Sequence, residues 1–537
     1  MLDRSRYFLR MARSVHRYLQ AQPIADPEAA VRERLERREV DFIANVKRVI
    51  FDDPANPYHQ LFQAAGCEFG DFSDSIARNG LEPTLAALHK EGVFVAHDEF
   101  KGRRPIVRRG VEIHANPDSF ANPFVEALSQ GTSSGSTGRP TAVRKGLEVR
   151  LYREAYEHFV AREHGVNNGA HADLKPILPV TEGINSVLRR AKYGRGESKW
   201  FSPAGSWRES GHYRLATYGL LLTARLSGTR AGFPSFLSAD DYTPVARWLA
   251  ERRRRGVSCS LSSMVSPACR VAAAAIDHGL DISGSTFFCG GEALSEVKRA
   301  LLVQAGVRPV ISYWISEIGV IGRACRQMTS GNRVHQFHDS MAVISHRRQA
   351  PLADVELNSL LFTTLLPFTP ILVINAEMED SAVIAPARCD CLLSRTGWTT
   401  EIGDIQSFGK LTGHGITLLG NDLVRILEEE LPRHFGGRPG DFQLAERDGA
   451  RQTEVDLRVS PRLAGIAPDL VRDYFFQQIR GKQGGMPAEW VLKQSDALRV
   501  VVEEPIATGS GKVHPLRLLG ASRQPSPWTP KEQRHAS

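Results

Sequence analysis

The chain of 537 residues is too long for one hydrophobic core, so at least two domains are expected. Its composition, with 42% apolar and 24% charged residues, excludes a largely disordered or fibrous protein. The 68 basic and 60 acidic side chains give a net charge of +8, which suits anionic small molecules but is too small and too scattered to indicate nucleic-acid binding.

Cysteine usage and the apolar runs indicate the compartment. Seven cysteines are spread thinly over the chain, which does not suggest a disulfide framework and fits a reducing compartment. The first twenty residues carry charges where a secretory signal has its apolar core, and the most apolar run, 360–374, is too short to span a bilayer. We expect a cytoplasmic protein without a membrane partner. The N-terminal helix either packs on its own domain or serves as a membrane-surface or targeting helix.

The chain order of the predicted elements indicates an α/β fold with a mixed or parallel sheet flanked by helices. Residues 1–100 are predicted to be mostly helical. From 105 to 380 short β-prone runs alternate with helical stretches. The β-prone runs lie at 105–107, 236–237, 285–289 and 308–314, the helical stretches at 241–253 and 294–305, and two apolar runs that suit buried strands lie in 353–385.

A domain boundary is predicted near residue 408, where a Gly-rich passage precedes a helix that ends in glycines. This divides the chain into a large N-terminal domain, 1–408, and a small α+β domain, 409–537. The last residues of the small domain have the composition of a disordered tail.

The most informative segment is the Gly, Ser and Thr run at 131–140. Such a run lets the backbone approach a polyphosphate closely while hydroxyl and N–H groups donate to it. No Gly-Lys-Ser/Thr stands at the spacing of a Walker A loop. The ordered Ser-Gly-Ser-Thr-Gly-x-Pro core resembles the nucleotide-binding signature of the acyl-adenylate-forming superfamily. The resemblance implies nucleotide contacts from Thr132, Ser133, Ser134, Gly135, Ser136, Thr137 and Gly138.

Three further segments follow in the order that this superfamily has. The segment 289–295 resembles the lining of the adenine pocket, and Tyr313-Trp-Ile-Ser-Glu317 resembles the Tyr-Gly-x-Thr-Glu motif, with Trp314 in place of the usual Gly. The resemblance implies adenine contacts from Gly290, Gly291, Glu292 and Tyr313, an α-phosphate contact from Ser316, Mg²⁺ at the carboxylate of Glu317, and ribose contacts from Asp380.

The terminal motif Thr-x-x-Gly-Lys is matched at Thr508, Gly511 and Lys512. The resemblance implies that Lys512 is carried over the active site by a mobile C-terminal domain. There it would stabilise the charge that develops during attack on the α-phosphate.

Residues 56–71 resemble the start of phenylacetate–CoA ligase and its capsule-biosynthesis relatives. Together the motifs imply an ATP- and Mg²⁺-dependent enzyme that activates a carboxylic acid as an acyl-adenylate and transfers it to CoA. Alternative acceptors are a carrier protein, an amine, nitrite-derived nitrogen or a protein cysteine, and a homodimer is compatible with the sequence. A non-catalytic nucleotide-binding protein is the other alternative, favoured by three departures: Thr141 replaces a Lys, Trp314 replaces a Gly, and the hinge motif is reduced to Gly409-Lys410.

A metal site is the last candidate. Cys389 and Cys391 form a Cys-x-Cys pair that Cys325 and His335 would complete as a structural zinc site, and this branch often shows the same pattern, with an Asp four residues after the His, here Asp339. The alternative is four unconnected buried residues.

Overall fold

The computed structural model describes the chain from residue 2 to residue 519, apart from residues 127–128, 133–141, 179, 194–195, 204–206, 239–240, 292–293, 350–355, 408–419, 449–452, 464, 481–497, 508–510 and 512. The α-helices are α1 Leu2–Gln20, α2 Pro27–Val46, α3 Pro57–Ala64, α4 Phe69–Asn79, α5 Leu81–Lys90, α6 His97–Phe100, α7 Leu147–Glu163, α8 Glu182–Tyr193, α9 Trp207–Leu226, α10 Thr243–Arg254, α11 Val265–Asp277, α12 Glu296–Gln304, α13 Leu392–Thr396, α14 Gly420–Arg425, α15 Leu431–Phe435 and α16 Pro468–Arg480.

The strands are β1 Ile106–Arg108, β2 Val111–Ile113, β3 Ser129–Thr132, β4 Ala142–Lys145, β5 Ala170–Leu174, β6 Ser198–Pro203, β7 Ser235–Leu237, β8 Cys259–Met264, β9 Thr286–Gly290, β10 Arg308–Ile315, β11 Gly319–Arg323, β12 Val334–Gln336, β13 Met341–Gln349, β14 Glu356–Thr364, β15 Ala376–Pro386, β16 Thr400–Ser407, β17 Phe442–Asp448, β18 Thr453–Val459, β19 Leu498–Val502 and β20 Leu516–Leu519.

Twelve of the described strands form one mixed sheet in the order β13-β14-β15-β16-β12-β11-β10-β9-β8-β5-β6-β7. The strands from β10 to β7 are parallel, and those from β11 to β13 pair antiparallel. Helices α8 to α12 each connect two successive parallel strands, as parallel pairing requires. Strands β6 and β7 lie on one side of β5. Strands β8, β9 and β10, which follow in the chain, lie on the other side, so the order of the strands reverses between β5 and β8. Right-handed crossovers then place α8 and α9 on one face and α10 to α12 on the other.

The predicted α/β fold is confirmed, with one correction at the start of the alternating region. The β-prone runs near 236, 286 and 308 became β7, β9 and β10 of the large sheet. The run at 105–107 instead forms β1, which pairs only with β2 in a separate two-stranded ribbon. A tight turn through Arg109 and Gly110, both at positive φ, folds the chain back at once, so β1 is closed off in a local hairpin.

The N-terminal helix packs on its own chain. Met11, Val15 and Tyr18 are buried in a cluster with residues of α8 and α9. This placement matches the first of the two alternatives for that helix. Within the part of the chain that the structure describes, no helix is both long and apolar enough to cross a bilayer.

The described residues after 420 have a hydrophobic cluster of their own. The four-stranded sheet β19-β18-β17-β20 and helices α14 to α16 surround Phe442, Leu457 and Phe475, and none of these residues belongs to the cluster of the large sheet. The predicted boundary near 408 lies outside the described residues.

A buried ion pair joins this C-terminal unit to the large sheet. Lys298 on α12 contacts Glu428, which lies in the π-helical turn Ile426–Glu430, and both side chains are at most 3% exposed. A second pair, Arg438 with Asp277 at 2.6 Å, joins the same two parts at the surface. Charged side chains therefore carry part of this contact.

Neutralising one partner of the buried pair should destabilise the protein. The Glu428→Gln variant removes the carboxylate charge that contacts the buried Lys298 ammonium, and breaking a buried pair of this kind costs about 3–5 kcal/mol. We expect a clear drop in melting temperature, measured by calorimetry. The double variant Lys298→Met/Glu428→Leu removes both charges and should recover most of the loss.

Arg438→Gln is the matched control, because its pair with Asp277 is solvent-exposed and should contribute about 1 kcal/mol or less. Equal losses in the buried and exposed variants would contradict the importance of the buried pair.

Candidate functional site

The carboxyl ends of the parallel strands carry the candidate site. In an open α/β sheet, ligands bind outside these ends at the point where strand order reverses, which here lies between β5 and β8. Gly290, at the end of β9, is in register with Met264 of β8 and with Ser312 of β10. The segments 289–291 and 313–317, predicted to contact nucleotide, therefore lie side by side at this edge.

Gly290 is required at its position by the indole of Trp314. A Cβ at residue 290 would lie 2.1 Å from Trp314 Cζ3 and 2.4 Å from the carbonyl oxygen of Ser312. Neither the ring nor the backbone can give way at these distances, so only glycine fits. The Trp314 ring consequently covers the sheet surface at the end of β9.

Tyr313 and Asp380, separated by 67 residues, meet in a hydrogen bond of 2.7 Å in which the Tyr313 hydroxyl donates to Asp380 Oδ2. Burial and the Asp380 carboxylate raise the pKa of Tyr313 well above its usual value, so the hydroxyl stays protonated. Asp380 lies in a bulge where three residues of β15 oppose one residue of β14, and Glu379 has a φ of 62°. The bulge interrupts the alternation of β15 beside Asp380, as bulges next to functional sites commonly do.

Glu317 forms an ion pair that the sequence did not indicate. Lys101 Nζ lies 2.5 Å from Glu317 Oε1, and both side chains are only 12–13% exposed. Beside the same bulge, His97 Nδ1 lies 3.0 Å from Glu379 Oε2. Lys101 and His97 belong to the short α6 region, more than 200 residues from their partners, and no local sequence signal marks them. Ser316 is exposed next to this pair.

Several predicted site residues lie outside the described residues, namely Ser133 to Gly138, Glu292 and Lys512. The backbone on both sides of the predicted phosphate loop is described, and Thr132 of β3 pairs with Ala142 of β4. The antiparallel pairing holds the two ends of the loop together. Gly291 has a φ of 77°, which favours glycine at the turn after β9.

The residues on each side of Lys512 dock at the same edge of the large sheet. A Cβ on Gly511 would lie 3.2 Å from Pro267 and 3.8 Å from Pro203, which follow β8 and end β6. The Ser266 hydroxyl donates to the carbonyl oxygen of Val513 at 3.3 Å. Gly511 and Val513 therefore lie across the strand-order reversal, since they contact residues that follow β8 and that end β6.

The four predicted metal ligands come together. The Sγ atoms of Cys325, Cys389 and Cys391 and a ring nitrogen of His335 lie within 4.8 Å of one another. Cys389 Sγ is 3.7 Å from Cys391 Sγ, 3.8 Å from Cys325 Sγ and 3.2 Å from His335 Nε2. Tetrahedral zinc with sulfur ligands at about 2.3 Å separates sulfur atoms by about 3.8 Å, so the donor set fits this ion.

The surroundings of the cluster orient His335 for this role. Its Nδ1–H donates to the carbonyl oxygen of Trp398 at 2.8 Å, which directs Nε2 to the cysteines. Hydrogen bonding from Cys325, with a contribution from His335, lowers the pKa of the Cys391 thiol. Three thiolates and one imidazole make a closed structural site rather than a catalytic one.

Asp339, four residues after His335, lies outside the ligand cluster. Its carboxylate is buried and accepts from Tyr156 at 2.7 Å, Tyr152 at 3.0 Å and the Trp398 indole at 2.7 Å. Burial raises the pKa of Asp339, while these three donors oppose that rise. Trp398 thus connects the cluster to this buried carboxylate.

Comparison with known proteins gives only remote likenesses. No family model matches the chain, and no curated protein matches its sequence. Among solved structures it is similar to a 2-hydroxyisobutyryl-CoA ligase in complex with 2-HIB-AMP and CoA, at 13% identity and a TM-score of 0.45, over 96% of this chain and 95% of the ligase. It is also similar to IdnL7, at 12% identity and a TM-score of 0.36, over 86% and 81% of the two chains. An acyl-CoA synthetase-like protein from Dyadobacter fermentans shares 10% identity, with a TM-score of 0.31, over 72% and 86%. These likenesses identify no substrate or activity for this chain.

Purified protein should contain one zinc ion per chain, measured by inductively coupled plasma mass spectrometry. The Cys391→Ser variant should lose the ion, because a neutral hydroxyl replaces one of three thiolate ligands. Cys67→Ser is the control, since Cys67 lies outside the cluster and should leave the zinc content unchanged. Wild-type protein without stoichiometric zinc would contradict the assignment.

Proposed function

We propose that the chain is an ATP- and Mg²⁺-dependent ligase that activates a carboxylic acid as an acyl-adenylate and then transfers the acyl group, with CoA as the first candidate acceptor. The docking of Gly511 and Val513 across the strand-order reversal carries this proposal, because these two neighbours of Lys512 lie at the edge that also holds Gly290 and Tyr313. The described segments 289–291 and 313–317 lie side by side at this edge, and Asp380 joins them through its hydrogen bond with Tyr313. Each of these segments resembles a motif of the acyl-adenylate-forming superfamily.

Tyr313 and Asp380 supply the nucleotide-binding part of the proposal. The Tyr313 ring would lie against the adenine, while its hydroxyl fixes the Asp380 carboxylate at 2.7 Å. A carboxylate held in this way can accept hydrogen bonds from both ribose hydroxyls. The closed base of the β3–β4 hairpin would present the Ser- and Gly-rich loop to the phosphates.

The residues present fit a magnesium ion. Oε1 of Glu317 contacts Lys101, and the Glu317 carboxylate would hold Mg²⁺ together with substrate phosphates, in keeping with the preference of this ion for one or two carboxylates. When bound, the ion would neutralise charge on the triphosphate. The Lys101 ammonium fixes the orientation of the Glu317 carboxylate and adds positive charge beside the phosphates.

The proposed reaction proceeds by displacement at the α-phosphorus. A carboxylate oxygen of the acid bonds to phosphorus, the bond to the bridging oxygen breaks, and pyrophosphate leaves with that electron pair. Lys512 would stabilise the negative charge that develops on the α-phosphate oxygens. In the second step the thiol sulfur bonds to the acyl carbon, AMP leaves with the electrons of the broken acyl–oxygen bond, and the thiol proton passes to solvent.

The Lys512→Ala variant should lose most of its activity in the first step, the formation of the acyl-adenylate. Removing one fixed donor of this type lowers the rate by about 100-fold or more. The measurement is exchange of labelled pyrophosphate into ATP, dependent on an added carboxylic acid, over a panel of acids. Lys90→Ala changes an exposed lysine on α5 and should retain full exchange.

Two results would contradict the proposal. Wild-type protein that shows no exchange with any acid of the panel while it binds ATP would indicate a non-catalytic nucleotide-binding protein. Exchange that survives Lys512→Ala unchanged would remove the lysine from the mechanism. Consumption of CoA by wild-type protein, followed as loss of free thiol, separates CoA from the other acceptors.

The indole of Trp314 should limit the size of the acid. Trp314→Gly removes the ring that covers Gly290, so larger acids should gain about tenfold in kcat/KM relative to small ones. Exchange rates over a series of acids of increasing length measure this change, and Trp314→Phe should be intermediate. An unchanged preference would place Trp314 outside the acid pocket.

A further inference from the structure

A cavity of about 280 Å³ lies between helices α7 and α8 and the face of the parallel sheet. Its floor includes Ser262 and Phe288, each two residues before the strand ends Met264 and Gly290. It therefore lies below the candidate nucleotide site, on the amino-terminal side of it along the strands. Ala25 and Asp26 line the cavity and are exposed, so it reaches the surface at the start of α2.

The carboxylates that line the cavity already have partners. Glu157 Oε1 accepts from Arg323 at 2.7 Å, and Glu154 accepts from the Tyr18 hydroxyl. The Asp26 side chain caps α2 by accepting from the N–H groups of Glu28 and Ala29, each at 3.0 Å. Their negative charge is thus engaged by groups of the protein itself.

Arg190 differs from these residues. Arg190 lines the cavity, and its Nε is buried without a hydrogen-bond partner among the described residues. The nearby Asp173 carboxylate is engaged by Ser186 at 2.7 Å, His171 at 3.4 Å and Lys175 at 3.5 Å. Burial lowers the pKa of Arg190 to about 10, so the group remains charged at neutral pH.

A second guanidinium lines the same cavity. Arg189 donates to Ser186 Oγ at 3.2 Å, and no carboxylate among the described residues lies within ion-pair distance of it. A charged guanidinium removed from water is costly unless it is paired, and planar guanidinium groups bind carboxylate and phosphate oxygens in a bidentate manner. An anion with at least two oxygens would supply the partner that Arg190 Nε lacks.

We propose that this cavity binds a small oxyanion, as a carboxylate or phosphate group, held by Arg190 with Arg189 and admitted at the Asp26 rim. The site is separate from the nucleotide site and does not depend on the proposed adenylation. The same chemistry is offered by a free inorganic oxyanion and by the carboxylate of an organic acid, and the test distinguishes these two sources.

The test measures binding of sulfate and of malonate to the full chain by isothermal titration calorimetry at constant ionic strength. We expect one site per chain in the wild type and about tenfold weaker binding, or none, in Arg190→Gln. Arg254→Gln removes an exposed charge from the end of α10 and should bind as the wild type does. Binding of sulfate and malonate alike assigns the site to any small oxyanion, and binding of malonate alone assigns it to organic acids.

Thermal unfolding without added anion separates a binding role from a structural one. Arg190→Gln should be as stable as the wild type or more stable, because it removes a buried charge that lacks a partner. Absence of binding to the wild type, equal binding by all three proteins, or a marked loss of stability in Arg190→Gln would each overturn the proposal.

Discussion

The reversal of strand order between β5 and β8 is the constraint on which the candidate site depends. On the two sides of this reversal the chain crosses to the next strand in opposite directions. Right-handed crossovers therefore place the connecting helices on opposite faces of the sheet, and a crevice remains between them at the carboxyl ends of the strands. Gly290, Tyr313 and Pro267 all lie at that edge. The C-terminal unit docks there as well, so the geometry of one sheet edge determines which distant segments can act together.

The sequence predicted residues whose role is set by local chemistry. A glycine at the end of a β-prone run and the Cys-x-Cys pair were identifiable, because close backbone approach and metal binding restrict the residue types that fit. The assembly of Cys325 and His335 with that pair agrees with the zinc hypothesis rather than with four unconnected residues.

Residues defined by tertiary contact could not be predicted. Lys101 meets Glu317 only because the chain after α6 passes beside the end of β10, and nothing in its neighbouring residues indicates this. The bulge beside Asp380 depends on the register between β14 and β15, which local propensity does not determine. Arg190 was missed for the same reason, since its lack of a partner is visible only once helices and sheet are packed. The run at 105–107 forms a strand as predicted, but its pairing with β2 could not be predicted because a short apolar run does not reveal which strand it will pair with.

The ionic contact between Lys298 and Glu428 has a consequence for how the C-terminal unit can part from the large sheet. Two charges that separate into water regain hydration, which offsets much of their lost attraction. Apolar surfaces that separate are exposed to water at a cost in free energy, with no such compensation. An interface built in part from such pairs, with Arg438 and Asp277 at its rim, is suited to reversible association. Added salt would then weaken the exposed pair of Arg438 and Asp277 and leave the buried pair of Lys298 and Glu428 largely unscreened.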